Sequence, residues 1–214
     1  MLNSLKPCQS KAPQGINWRE LGKAYQVFMR DPAKGILHIL AAGRHSYWQK
    51  LVIARLRCQA KLIADKEVLI DLNSLIQLPA DTLGGAYARH MFVQGFTADS
   101  FIDNDQDTVF DKRLGIAHDV QHIMTGFDSS PIGEFGLAAF MLVQYRDLLN
   151  VFVLSWVPWS MIGNVRWIPK LTVALGCGFM GGWRSKPLAA YSFEDNWHKS
   201  LLDVRQELQI PQIK

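Results

Sequence analysis

Two histidines, the aspartate beside one of them and a glutamate one short loop away carry the chemistry that stands out in this chain. They are His118, Asp119, His122 and Glu134, in the run HDVQHIMTGFDSSPIGE. Residues four apart lie one above the other on a helix, so His118 and His122 would present both imidazoles on one face. Asp119 sits beside them on a side chain short enough to swing in. Two imidazoles and two carboxylates suit a divalent metal. Zinc, magnesium and iron all accept such donors, so the ion's identity stays open. The plainer reading is a surface HxxxH pair, with carboxylates that merely favour helix N-termini. The placing of Glu134 argues for the metal. Thr125-Gly126 marks a helix end, because glycine relieves the left-handed closing residue. Ser130-Pro131 marks the next start, with serine as N-cap and proline in the first position. Glu134 then falls one turn into the second helix, where it can face back.

The elements around this helix-loop-helix read as helices throughout. Residues 1 to 15, with Pro7, Pro13 and Gly15, form an irregular arm, and residues 16–214 a single compact all-α domain of about eight or more helices. Asn17 caps a helix over 18–29, and Asp31-Pro32 starts another to about Gly43. A longer helix is expected over 46–64, where Lys50, Arg57 and Lys61 recur on one side; an ordinary packed surface helix is favoured there over a membrane-facing one. Residues 68–78 are ambiguous between strand and helix. Pro79 and Asp81 introduce a helix from Thr82 to Gln94, ended by Gly95. The apolar stretch 135–159 is too short and interrupted to span a bilayer and reads as a buried or membrane-touching helical hairpin. Within it Leu137, Ala138, Met141 and Tyr145 follow Glu134 at helical spacing: the wall of a greasy channel in a lipid enzyme, ordinary core in most helices. Gly176, Gly178 and Gly181 form a GxGxxG after a β-like run. Pro187 interrupts the chain within a few residues of the last glycine, so close helix approach is preferred to a dinucleotide loop. A closing helix over 194–208 puts Trp197, Leu201, Val204 and Leu208 on one face.

Composition narrows the class. The chain is 49% hydrophobic, which is globular, and no stretch is charge-rich enough for disorder. Cys8, Cys58 and Cys177 are scattered and odd in number, against a disulfide framework and for a reducing compartment. Through Lys66 twelve Lys/Arg stand against three Asp/Glu, and from Glu67 to Asp147 four against twelve. A basic N-terminal third could meet anionic headgroups or the acidic middle of the chain; no motif supports nucleic acid. Asp103, Asp105 and Asp107 imitate a calcium loop, but Thr108 and Leu114 stand where its glycine and glutamate belong, which leaves a solvated acidic loop. No apolar signal core follows Lys6 and Lys11, and the arm lacks the arginines of a mitochondrial presequence.

HDxxH, eleven residues and then Glu resembles the signature of the Coq-four family of ubiquinone biosynthesis proteins. LPADTLGGAYARHMFVQGF (78–96) and FEDNWHKSLLDVRQELQIP (193–211) are similar to two further segments of that family, and the likeness runs from about residue 20 to 212. KRLGIA (112–117) and YRDLLN (145–150) depart from the mitochondrial members and point to a divergent bacterial relative. The resemblance implies a mostly helical, membrane-peripheral homodimer that binds a polyprenylated hydroxybenzoate-type lipid in an apolar groove. It implies loss of the carboxyl from ring carbon 1, coupled to hydroxylation there, beside a metal held by His118, Asp119, His122 and Glu134. It also implies other quinone biosynthesis proteins as partners. The setting would be the cytoplasmic face of a bacterial membrane, or the matrix side of the mitochondrial inner membrane. Two other readings stand beside it. One is a non-catalytic prenyl-lipid scaffold; the other is an HD-type metal phosphohydrolase, in which His90 would be the upstream ligand.

Overall fold

The computed structural model describes residues 15–95 and 107–212. The N-terminal arm to residue 14, with Cys8, lies outside that range, as do Asp103 and Asp105 of the calcium-loop imitation. The described residues are helical, with no β-strand among them; an isolated antiparallel bridge joins Thr82 and Ser200. The chain divides into two compact units, residues 1–53 and 54–214.

In the first unit, α1 (Trp18–Val27) and α2 (Pro32–Gly43) pack as a pair. Both start where the capping residues demand. The Asn17 side chain accepts from the Arg19 and Glu20 amides, and Asp31 accepts from that of Lys34 with Pro32 next in line. Helix α3 (Tyr47–Gln59) begins here and runs into the second unit; it is shorter than expected, because the chain turns over residues 60–65.

The second unit carries α4 (Leu72–Leu75), α5 (Leu83–Gln94), α6 (Val109–Thr125), α7 (Pro131–Tyr145), α8 (Leu148–Ser155), α9 (Val157–Gly163), α10 (Ile168–Arg184) and α11 (Leu201–Leu208). The ambiguous 68–78 run resolves into the single turn of α4, capped by Asp71. The closing helix is shorter than its apolar spacing suggested. Residues 193–195 form a 3-10 turn, and α11 starts only after Ser200 caps it. The reason lies in backbone hydrogen bonding: the carbonyls of Trp197 and Lys199 accept from the Gly84 and Leu83 amides, so this segment is committed to the N-terminus of α5.

The β-like run before the glycines is helical as well: it belongs to α10, which packs along α7. A Cβ at Gly178 would lie 2.3 Å from the Gly136 carbonyl oxygen, and one at Gly182 2.5 Å from that of Phe140. Glycine is therefore what lets the two backbones approach, as expected of small residues on a helix face. No dinucleotide loop exists there. Helix α7 ends at Arg146 in the left-handed region (φ 59°), Asp147 then caps α8, and the apolar stretch continues from α7 into the short helices α8 and α9. Among the described residues no single helix is long and apolar enough to cross a membrane.

Candidate metal centre

Helix α6 opens with a capping box between Thr108 and Asp111 and closes at Gly126, whose φ of 85° only glycine adopts freely. Ser130 and Pro131 then start α7, so the His-bearing and Glu-bearing turns are joined by a loop of five residues, 126–130. Two glycines let that loop fold back onto α7. A Cβ at Gly133 would meet the Asp128 carbonyl oxygen at 2.1 Å, and one at Gly136 the Phe127 ring at 2.3 Å. From the side, Arg205 of α11 donates to the carbonyls of Met124 and Ile123 at 2.9 and 3.0 Å and satisfies the last turn of α6.

This framework brings together His118, His122 and Glu134, whose donor atoms all lie within 4.8 Å of one another. His122 Nε2 is 3.2 Å from Glu134 Oε1, and His118 Nε2 is 4.0 Å from Glu134 Oε2. The His122 side chain is buried, while those of His118 and Glu134 are 41% exposed and form the open side of the cluster. Asp119, expected as a fourth ligand, is not one of these mutually close donors, although its charge acts on all three histidines nearby. His90, from α5, stacks on His122 with ring centroids 5.9 Å apart, and its buried Nε2 has no hydrogen-bond partner.

The hydrogen on His122 can be placed by chemistry. Its Nδ1 is 2.9 Å from the Phe127 carbonyl oxygen, which can only accept, so Nδ1–H is the donor. In the neutral ring Nε2 then carries a lone pair and faces a carboxylate oxygen. Two such atoms at 3.2 Å need a proton or a cation between them. A ligating histidine commonly has its other nitrogen held in this way by a backbone carbonyl. Burial opposes charge on His122, but the Glu134 carboxylate outweighs it and raises the imidazole above its ordinary value. Burial likewise works against ionised Glu134, and the bond from His122 outweighs it, leaving the carboxyl below its usual range. His118 is pushed down and Asp119 pushed up, both chiefly by burial. Nitrogen and oxygen donors, a fixed tautomer and an open side fit a divalent cation.

Leu137, Ala138, Met141 and Tyr145 are all buried, and Gln121 donates 2.7 Å to the Tyr145 hydroxyl. They are packed side chains of the α7 core. Sequence reasoning missed the Phe127 carbonyl and the Arg205 brace. Backbone acceptors carry no signal of their own, although a chain reversal at Gly126 does imply that the next carbonyl returns toward α6.

The family model described as coenzyme Q (ubiquinone) biosynthesis protein Coq4 matches residues 58–214, well over half the chain. A mitochondrial ubiquinone biosynthesis protein COQ4 homolog of Drosophila ananassae is 30% identical over 151 residues, covering 66% of this chain and 54% of its own. The Xenopus laevis counterpart is 26% identical over 153 residues, 68% of this chain and 53% of its own. The chain thus spans about half the length of the curated relatives it matches. A crystal structure from Nostoc punctiforme, of a protein provisionally named for ubiquinone biosynthesis, superposes with a TM-score of 0.75 at 21% identity. It covers 90% of this chain and 98% of its own, and it has the same fold.

Proposed function

Because the chain belongs to the coenzyme Q (ubiquinone) biosynthesis protein Coq4 family, we propose that it binds a polyprenylated hydroxybenzoate-type lipid beside a divalent metal and replaces the carboxyl on ring carbon 1 by a hydroxyl. The observation that carries this reading is the convergence of His118, His122 and Glu134 within 4.8 Å on two successive helices. Those residues would hold the ion, and Asp119 would add negative charge beside it. A bound divalent ion supplies Lewis-acid charge for the ring oxygen or carboxylate as carbon dioxide leaves. The exchange is an oxidation of the ring, so an external oxidant belongs to the reading. His122 is fixed in tautomer and orientation by Phe127, which keeps Nε2 turned toward Glu134. Glu134 stays anionic opposite the imidazoles, and half-exposed His118 is the residue best placed to meet an incoming headgroup. The protein would work at the surface of the membrane that holds its lipid, as a homodimer among other quinone biosynthesis proteins.

Purified full-length chain should carry a divalent metal and turn over a prenylated hydroxybenzoate, and His122→Ala and Glu134→Ala should lose both. Metal content unchanged in those variants, or full activity after metal removal, would overturn the proposal. A metal-loaded protein that binds the lipid without turnover would be a scaffold. The stacking of His90 on His122 favours one further reading, an HD-type phosphohydrolase. Phosphate release from a nucleotide or lipid phosphate, lost in His90→Ala, is its test.

A further inference from the structure

Helix α10 buries Leu171 but leaves other large apolar residues facing outward, which is unusual for a helix of a water-bounded protein. Its inward face toward α7 includes Gly178 and Gly182, while Val173, Met180 and Trp183 point outward at 62%, 56% and 81% exposure. Helix α9, just before it, buries no residue at all. Trp159 and Ile162 on α9 and Val165 in the connection are 67%, 73% and 68% exposed. Apolar surface on this scale marks an interaction site.

Charge identifies the occupant. From Leu148 to Phe193 the sequence contains no aspartate or glutamate, whereas Arg166, Lys170, Arg184 and Lys186 all fall within it and are exposed. A second copy docked here by a two-fold axis would set this cationic segment against itself with no carboxylate to answer it. An anionic lipid surface answers both properties, taking up the apolar side chains and the cations, with tryptophan at the headgroup level. Shape agrees. The stretches Leu148–Gly163 and Val165–Arg184 are long and apolar enough to cross only when taken together, but they are bent by 116° at the break and neither is a span by itself. An exposed apolar surface on non-spanning helices suits lying in an interface, with the cations at its edge.

We propose that the exposed face of α9 and α10, from Trp159 to Trp183, is the surface by which this protein lies on an anionic membrane. The proposal rests on the reading of a membrane-surface protein and names the surface. The test is sedimentation of the full chain with phosphatidylcholine vesicles, with and without phosphatidylglycerol. The wild-type chain should bind the anionic vesicles, and less tightly as salt rises. Ile162→Glu should abolish binding, and Arg166→Gln with Lys170→Gln should weaken it about five-fold per cation. All variants should keep wild-type circular dichroism and metal content. Binding undiminished in these variants would overturn the assignment and leave the membrane reading standing. Failure of the wild-type chain to bind either vesicle would sink that reading itself. A change from dimer to monomer in Ile162→Glu, with vesicle binding intact, would make this a contact between copies and overturn the proposal.

Discussion

At the scale of single residues, the division of labour around His122 decides what the cluster can do. Its Nδ1 is committed to a backbone oxygen and its Nε2 to a carboxylate, so this imidazole has one protein-fixed orientation and no spare tautomer. His118 lacks a comparable brace in the described geometry and is half-exposed, which suits a residue that adjusts to what binds. Asp119 is the informative case. Its carboxyl lies outside the mutually close donors but within electrostatic reach of them. Asp119→Asn should therefore weaken metal affinity by roughly 10- to 100-fold, the range seen for supporting groups, and His122→Ala by more. Titration with a competing chelator measures both. Equal losses would make Asp119 a ligand in its own right.

At the scale of elements, the pairing of α7 with α10 sets where Glu134 can stand, because α7 is held between the fold-back loop on one side and the glycine face of α10 on another. Two neighbouring glycines should then respond with opposite signs. Gly178→Ala places a methyl 2.3 Å from a carbonyl oxygen and should cost about 1–3 kcal/mol, with the helices forced apart. At Gly176 nothing lies within 4 Å, so Gly176→Ala should stabilise by up to about 1 kcal/mol through helix propensity alone. Thermal denaturation of the two variants side by side is the measurement. A destabilised Gly176→Ala would mean that the outward face of α10 is already covered.

At the scale of the second unit, α6 is tied to the C-terminal segment at both ends. Arg205 holds its last carbonyls, and nearer its start the buried Arg113 makes two bonds to the largely covered Glu194 at 2.9 and 2.7 Å. Burial opposes ionised Glu194, but Arg113 outweighs it and holds the carboxyl below its ordinary 4.5. A depressed carboxylate contributes its stability in full above its unfolded value and loses it as pH falls through the folded one. Unfolding free energy should therefore fall as the solution is acidified below pH 4.5. Glu194→Ala should cost about 3 kcal/mol at neutral pH by leaving a buried guanidinium unpaired, and should flatten that acid limb. Denaturant titrations across pH test both. An unchanged acid limb would assign it to other carboxylates.

The range of the forces involved decides how much of this is legible in one dimension. Local rules are enough for the all-helical class, for the caps at Asn17, Asp31 and Ser130, for the left-handed glycines at 95 and 126, and hence for the turn on which Glu134 stands. Each depends on backbone groups a few residues away, so the pattern survives along the chain. The family resemblance is legible for the same reason, as short runs of fixed spacing. Tertiary structure alone decided that Asp119 stands apart from the close donors, that the α7 stripe is packed core, and that the closing helix yields to α5 at Trp197 and Lys199. It alone decided that α10 turns its glycines inward. Those outcomes depend on which distant backbone or side chain arrives to claim a group, and spacing along a chain holds no record of that arrival.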